Sequence, residues 1–373
     1  MDRTIFIHAG MHKTGSTAIQ MFLTGNRDRL RELGVYLPVV GTESHDHNHT
    51  ALVGAITSTD PAEPGDACER LRAELAQAGN PRHVLISAEK FSTRIGHLPF
   101  LDKLGHLCAA LGYAPHIIAY IRPQAAAINS MYTQKVKNWL TVEPFHVYFQ
   151  SQIAAPMNRL PRLFAALRAD PRFRLTVRPY NRRIISAGLV KDFLGILGLP
   201  ADDPSFTYSH DMENVTPGAK TIRAFLQIGR RLADRQPMPD QAILNSLTPP
   251  LIAAAGRLGW NAAKFDGIDD IRLRRALARF AESNEEFAHA AWNKSWHDVF
   301  PEEKHRQANP SIFFLKDASP AEQAEFRDFV ALASDRNADC VIARGEDGLR
   351  AVEIARAAYA SSASGQAVTL EPY

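Results

Sequence analysis

Cysteine is scarce in this chain: Cys68, Cys108 and Cys340 stand far apart and odd in number. They offer neither a disulfide framework nor a metal-ligand spacing, which points to a reducing compartment over a secreted one. A strong charge imbalance is also missing. Lys and Arg total 43 against 40 Asp and Glu, for a net charge of +3, far from the basic excess of a dedicated nucleic-acid binder. A local basic pocket for a small anion is compatible with that balance. Long apolar runs are lacking as well. The uncharged stretch "HLCAALGYAPHIIAYI" at 106–121 is too short to cross a bilayer and contains Gly, Pro and two histidines, so no stable membrane insertion is expected. The opening "MDRTIFIHAG" has no signal-peptide pattern. These absences together predict a cytoplasmic protein without a nucleic-acid partner. They leave its oligomeric state open.

What is present is an alternation of short apolar runs and amphipathic stretches over the first 200 residues. Strands are expected at 4–8 ("TIFIH"), 83–87 ("HVLIS"), 116–122 ("HIIAYIR") and 174–180 ("RLTVRPY"). Their nearly continuous apolar character suits a parallel sheet covered on both faces. Helices are expected at 17–33, 66–78, 99–112, 124–139, 157–169 and 187–198. The first carries Ile19, Phe22, Leu23, Leu30 and Leu33 as one buried stripe. This pattern predicts a three-layer, doubly wound α/β fold with a mostly parallel central sheet. Beyond "GLP" (198–200) it turns helical, with helices at 216–236 and 270–292 and a less regular Pro-containing stretch at 237–268. One more strand is read at 339–343 ("DCVIA"). The expected organisation is a core at 1–205, a helical region at 206–310 that completes the core and acceptor site, and a C-terminal appendage at 311–373.

The chemistry concentrates in "HAGMHKTGST", residues 8–17. An apolar strand, a glycine turn and a helix start form the context of a phosphate-binding loop, where free helix amides and the helix dipole meet an anion. A nucleotide-type loop reads G-x-x-x-x-G-K-[ST], with its lysine after the second glycine. Here Lys13 precedes Gly15 by two positions, while Thr14, Ser16 and Thr17 supply hydroxyls. An ordinary strand-to-helix turn with a Ser or Thr cap is the plain alternative. Two further stretches carry chemistry at strand ends. "YIRPQAAAINSMY" (120–132) places Arg122 at a strand end and Ser130 eight positions on, within a helix. "LISAEKFS" (85–92) places Glu89 beside Lys90, where the plain alternative is a surface ion pair.

These three stretches resemble the sulfotransferases that use 3′-phosphoadenylyl sulfate (PAPS). "GMHKTGST" is similar to that family's 5′-phosphosulfate loop, whose lysine lies inside the turn. Arg122 and Ser130 are similar to its 3′-phosphate motif, and Glu89 to the catalytic base of the heparan-type members. "RPYNR" (178–182), "LVKDFLGILGL" (189–199), "ENVTPGAKTIRAFLQIGRRL" (213–232) and "FAESNEEFAHAAW" (280–292) resemble later segments of bacterial members. The resemblance implies a P-loop-like topology and PAPS as co-substrate, with PAP as the product. It assigns Lys13, Thr14, Gly15, Ser16, Thr17, Arg122 and Ser130 to the donor, with Lys13 and Glu89 catalytic. No metal is implied. The acceptor it implies is a carbohydrate or other small bacterial metabolite with a hydroxyl or amine. Two features depart from the family. "FST" follows Glu89-Lys90 in place of a small residue and an aromatic pair, and no C-terminal loop rich in Arg, Lys and Gly is evident.

Histidines complete the candidate set. "ESHDHNHTAL" (43–52) carries His45, His47 and His49 at alternating positions; in an extended strand they would share a face and resemble a metal site. The alternative is a polar loop over the site, with His49 as a substrate-contacting or auxiliary base. His12 flanks the loop toward sulfate, and His8 reads as a strand-end histidine with its polar atoms satisfied. Trp292, Trp296 and Phe300 read as helix packing. Residues 324–371 weakly resemble the end of Gfo/Idh/MocA oxidoreductases, but the chain has no G-x-G-x-x-G, so no redox activity is expected. Two readings compete with sulfuryl transfer: a P-loop kinase of a small molecule, and a non-catalytic nucleotide-binding scaffold.

Overall fold

Five parallel strands build the sheet in this computed structural model: β1 (Thr4–Ala9), β2 (Val35–Tyr36), β3 (His83–Ala88), β4 (Ala114–Ile121) and β5 (Arg174–Pro179), in the order β2-β3-β1-β4-β5. The structure describes residues 3–11, 13–42, 47–58, 62–155, 158–208, 216–234, 239–304 and 306–334. The four expected strands are all present. The short edge strand β2 was not foreseen, because two residues carry no readable period. Register places Ala9 beside Ala88 and His8 beside Ile118. Side chains alternate across the sheet. Ile5, Ile7 and Ala9 enter one hydrophobic cluster, together with Leu71, Leu104 and Phe164 from covering helices. Phe6 enters another with Ile19, Phe22 and Phe193. Both faces are therefore dry, as the apolar strands require, and each fully buried Ile or Leu contributes about 1.5–3 kcal/mol. From β1 the chain crosses to the edge at β2, returns to β3, then passes to the other side of β1 for β4 and β5. That reversal opens a crevice at the carboxyl ends of the strands.

Several helices differ from expectation for local reasons. The helix expected at 17–33 breaks into Ser16–Gly25 and Arg27–Glu32. Asn26 lies at the break. Its side-chain amide donates to the carbonyls of Phe22 and Thr207, both at 2.8 Å, and its side-chain oxygen accepts from the Thr207 amide at 2.7 Å. The stretch at 237–268, expected to be irregular, contains helix Gln241–Arg257 with Pro249 and Pro250 inside it. Asp240 caps that helix by accepting from the Ile243 amide at 2.9 Å. Leu244, Leu247 and Leu251 give it a buried stripe, so packing overrides the local cost of proline.

The chain divides into two compact units. The first comprises residues 1–127, 155–213 and 276–306 and contains the sheet; the second comprises 128–154, 214–275 and 307–373. The boundaries fall inside helices Gln124–Lys137 and Asp270–Trp292, so the division interleaves along the sequence, unlike contiguous limits at 205 and 310. In the second unit Trp139 stacks on Phe225 with centroids 4.7 Å apart. Helix Pro320–Ser334 packs there through Phe326 and Val330, both fully buried, and Glu325 accepts from the Trp260 indole at 2.8 Å. Residues 311–334 are thus part of that unit's packing. The strand expected at 339–343 and most of 324–371 lie outside the described residues.

Candidate active site

Three strand ends in the first unit deliver the site. The loop after β1 carries Gly10 to Gly15, Glu89 follows β3, and Arg122 follows β4. Gly10 is required by crowding: a Cβ there would lie 2.4 Å from Ser16 Oγ and 3.2 Å from Glu89 Cγ. The same geometry shows that Ser16 and the Glu89 side chain converge on one point of the loop. Gly15 has φ +79°, and a Cβ there would meet Leu189 Cδ2 at 2.3 Å. Only glycine satisfies both demands. Lys13 itself has φ 62°, a region that residues with a Cβ seldom occupy. Thr14 braces this turn, its hydroxyl donating to the Met11 carbonyl at 2.7 Å.

Helix Ser16–Gly25 starts from Gly15 with no side-chain cap and no acidic residue in its first turn. Its leading amides and dipole are open to an anion. Ser16 Oγ is buried with no hydrogen-bond partner, which is costly unless a ligand supplies one. Arg122 ties the β4 end to the loop, donating from Nη1 to the Lys13 carbonyl at 2.9 Å. Its guanidinium lies over the Tyr180 ring, 5.9 Å from the centroid. Burial holds Arg122 below its ordinary pKa; Tyr180 opposes the shift and repulsion from Arg306 adds to it. Arg122 stays charged at neutral pH, and two repelling arginines beside a bare helix start are an arrangement that an anion relieves. The orphaned hydroxyl, the glycine cradle and the cations thus fit a phosphate-type or sulfate-type ligand.

Beneath the loop lies a neutral polar floor. The Ser87 hydroxyl sits 2.8 Å from His8 Nδ1 and accepts from the Gln20 amide at 3.1 Å. His8 is only half satisfied, since its Nε2 is buried without a partner. Burial pushes its imidazole down to about 4. His49 is a buried neighbour of Ser87. It is 2% exposed, its Nδ1 accepts from the Ser87 amide at 3.1 Å, and its Nε2 is 3.0 Å from the Pro38 carbonyl. With both ring nitrogens engaged and its pKa lowered to about 4, mainly by burial, His49 clamps β3 to the chain after β2. His47 is exposed while His49 is buried, so the two share no face. Among the described residues no cluster of three metal-ligating side chains occurs. His12 and His45 lie outside the described residues.

The structure therefore brings Lys13, Gly15, Ser16, Glu89 and Arg122 into one cluster, with Thr14 as a brace and Thr17 in the first helical turn. Ser130 lies farther along helix Gln124–Lys137, in the second unit, and its carbonyl accepts from the Thr133 hydroxyl at 2.8 Å. The cluster named above is built from residues of the first unit. Sequence reasoning missed Arg306 and Tyr180. Arg306 follows a short helix in "EEKHRQAN" (302–309) with no glycine or lysine-rich signature around it, so only folding places it near Arg122. Trp296 and Phe300 pack at 4.5 Å, and the Trp292 indole donates to the Val177 carbonyl at 2.9 Å, consistent with helix packing.

No protein-family model matches the chain, and no curated protein does. Among solved structures, the chain is similar to the crystal structure of a sulfotransferase from Alicyclobacillus acidocaldarius, at 14% identity and a TM-score of 0.33, covering 61% of this chain and 91% of that one. At that score the functional reading rests on the site's own residues.

Proposed function

We propose that this chain is a sulfotransferase that takes its sulfuryl group from PAPS. The acceptor is a hydroxyl or amine of a carbohydrate or other small molecule. One observation carries the reading: an in-turn lysine whose carbonyl is held by Arg122, in a loop whose glycine packs against both Ser16 and Glu89. In this reading the open amides of the first helix, Ser16 and Thr17 hold the phosphosulfate, with Thr14 and Gly15 shaping their loop. Lys13 neutralises charge that develops on the bridging oxygen. Arg122 and Arg306 take the 3′-phosphate, with Ser130 as a further candidate for it.

Sulfuryl transfer resembles phosphoryl transfer, with in-line geometry and catalysis dominated by positioning and charge stabilisation. The bond from sulfur to the phosphate oxygen breaks as the acceptor oxygen or nitrogen bonds to sulfur, and PAP leaves. Glu89 accepts the acceptor's proton, which requires an approach of about 3 Å. The loop supplies that role with a neighbouring cation, Lys13, and a carboxylate carried by a separate strand.

A thermal-shift titration with PAP and with ATP–Mg²⁺ tests the donor, since a ligand that binds only the native state raises the melting temperature. Selective stabilisation by PAP, lost in Arg122→Ala, is expected. A response to ATP–Mg²⁺ alone would indicate a kinase and sink the proposal, and silence to both would indicate a scaffold. An acceptor screen with radiolabelled PAPS then identifies the substrate.

A further inference from the structure

The second unit contains a cavity of about 520 Å³, within the range of roughly 300–1,000 Å³ typical of small-molecule sites. Its walls come from four separated segments, around 132–146, 219–230, 265–272 and 310–314. Phe145 and Phe265 form an edge-to-face pair with centroids 5.7 Å apart. Phe313 and Phe314 line the same cavity, and Phe314 is 53% exposed. The antiparallel bridge between Asp266 and Ser311 fixes the segment that carries them, with the Ser311 amide donating to the Asp266 carbonyl at 2.8 Å.

Three arginines, Arg223, Arg230 and Arg272, face this aromatic space with one carboxylate, Asp269. Arg272 is committed to Asp269 by an ion pair and lies over the Phe145 ring at 5.9 Å. Arg230 donates from Nε and Nη2 to the Val142 carbonyl, at 3.1 and 2.9 Å. Among the described residues neither Arg223 nor Arg230 has an acidic partner. Arg223 Nε is buried without any hydrogen-bond partner. Burial and then repulsion from Arg230 lower the pKa of Arg223. A partly buried guanidinium without a counter-charge is costly, and the rings around it do not offset that without an anion.

We infer that this cavity binds a small aromatic carboxylate, its ring among the phenylalanines and its carboxylate on Arg223. The walls select the class. An inorganic anion satisfies Arg223 but leaves the aromatic surface wet, whereas a neutral aromatic fills the space and leaves the guanidinium unpaired. The inference uses residues of the second unit alone and stands apart from the donor reading of the first.

Calorimetric titration of the intact protein with 1-naphthoate, 1-naphthalenemethanol and inorganic phosphate tests it. Naphthoate should bind about tenfold or more tighter than the neutral alcohol, in line with a charge-assisted contact, and phosphate should bind more weakly than either. Arg223→Gln should reduce naphthoate to the level of the alcohol, while Arg223→Lys retains part of the difference. Phe314→Ala, at an exposed position, should weaken both aromatic ligands and keep the fold. Equal affinities for naphthoate and alcohol, phosphate as the preferred ligand, or no binding would overturn the inference. Undiminished naphthoate binding by Arg223→Gln would do so too. If Arg223→Gln does not fold, the three-ligand comparison on the native chain and the Phe314→Ala result decide alone. A normal PAP-induced thermal shift in Phe314→Ala separates this site from the donor site.

Discussion

In the first unit the arginine of the site is tied to the main chain beside an uncapped helix start, whereas in the second an arginine without a counter-charge faces a cavity of aromatic rings. In the first, Arg122 is fixed to a main-chain carbonyl and the neighbouring helix start has no side-chain cap. The groove so formed suits an anion that accepts many hydrogen bonds and needs little apolar contact. In the second, Arg223 stands at a cavity walled by phenylalanines and suits an anion with an apolar body. Similar charge thus gives different selectivity, because the surroundings decide how much of a ligand must be desolvated.

The largest expected effect is on turnover. Glu89→Gln removes the proton acceptor and should lower the rate of sulfuryl transfer by about 10²–10⁴-fold, with the PAP-induced thermal shift retained. Asp269→Asn, in the second unit, should leave the rate within a few-fold. Equal losses from both, measured by single-turnover assay, would erase the distinction between the units.

Acid should also separate them. His8, His49 and His116 are all in the first unit, and burial lowers each to about 4. Between pH 4 and 6.5 the unfolded chain binds protons that these folded side chains refuse. Their contribution to stability is therefore complete above about pH 6.5 and is lost as pH falls toward 4, by up to about 1.4 kcal/mol per pH unit for each histidine. Hydrogen exchange at pH 7.5 and 5.5 should show protection falling first in the sheet. Uniform loss across both units, or loss confined to the second, would contradict this assignment.

Donor affinity comes next. Arg122→Ala removes a charged contact of about 1.5–3 kcal/mol, a loss of tenfold or more in PAP affinity by calorimetry. Arg223→Gln should leave PAP affinity unchanged. Arg306→Ala should weaken PAP in the same direction as Arg122→Ala, and an unchanged affinity would remove Arg306 from the site.

The same contrast explains what the sequence disclosed. Lys13, Gly15, Ser16, Glu89 and Arg122 could be singled out in the sequence because each lies in a segment that follows an apolar strand, and parallel strands deliver their carboxyl ends to one edge; their roles belong to the proposed function. Fold class followed from the same alternation of strand and helix. The second cavity was not legible: its arginines and phenylalanines come from four segments whose meeting depends on helix packing, and none forms a local motif. Arg306 escaped for the same reason. His49 is the opposite case. A histidine in a polar run reads as surface chemistry, yet the two backbone partners that hold it, Ser87 and Pro38, lie far away in sequence and leave no signature beside it.

Thr14 provides the smallest effect and sharpens the site internally. Its place in the motif suggests contact with the donor, but its hydroxyl is spent on the Met11 carbonyl and its side chain is buried. Thr14→Val keeps the shape and removes that bond, which should cost about 0.5–1.5 kcal/mol of stability by urea unfolding. PAP affinity should fall only a few-fold, through a less well-held turn. If the affinity loss instead matches that of Arg122→Ala while stability is unchanged, Thr14 turns toward the donor on binding. The loop would then reorganise around its ligand, and the free-state brace at Met11 would be an alternative to donor contact.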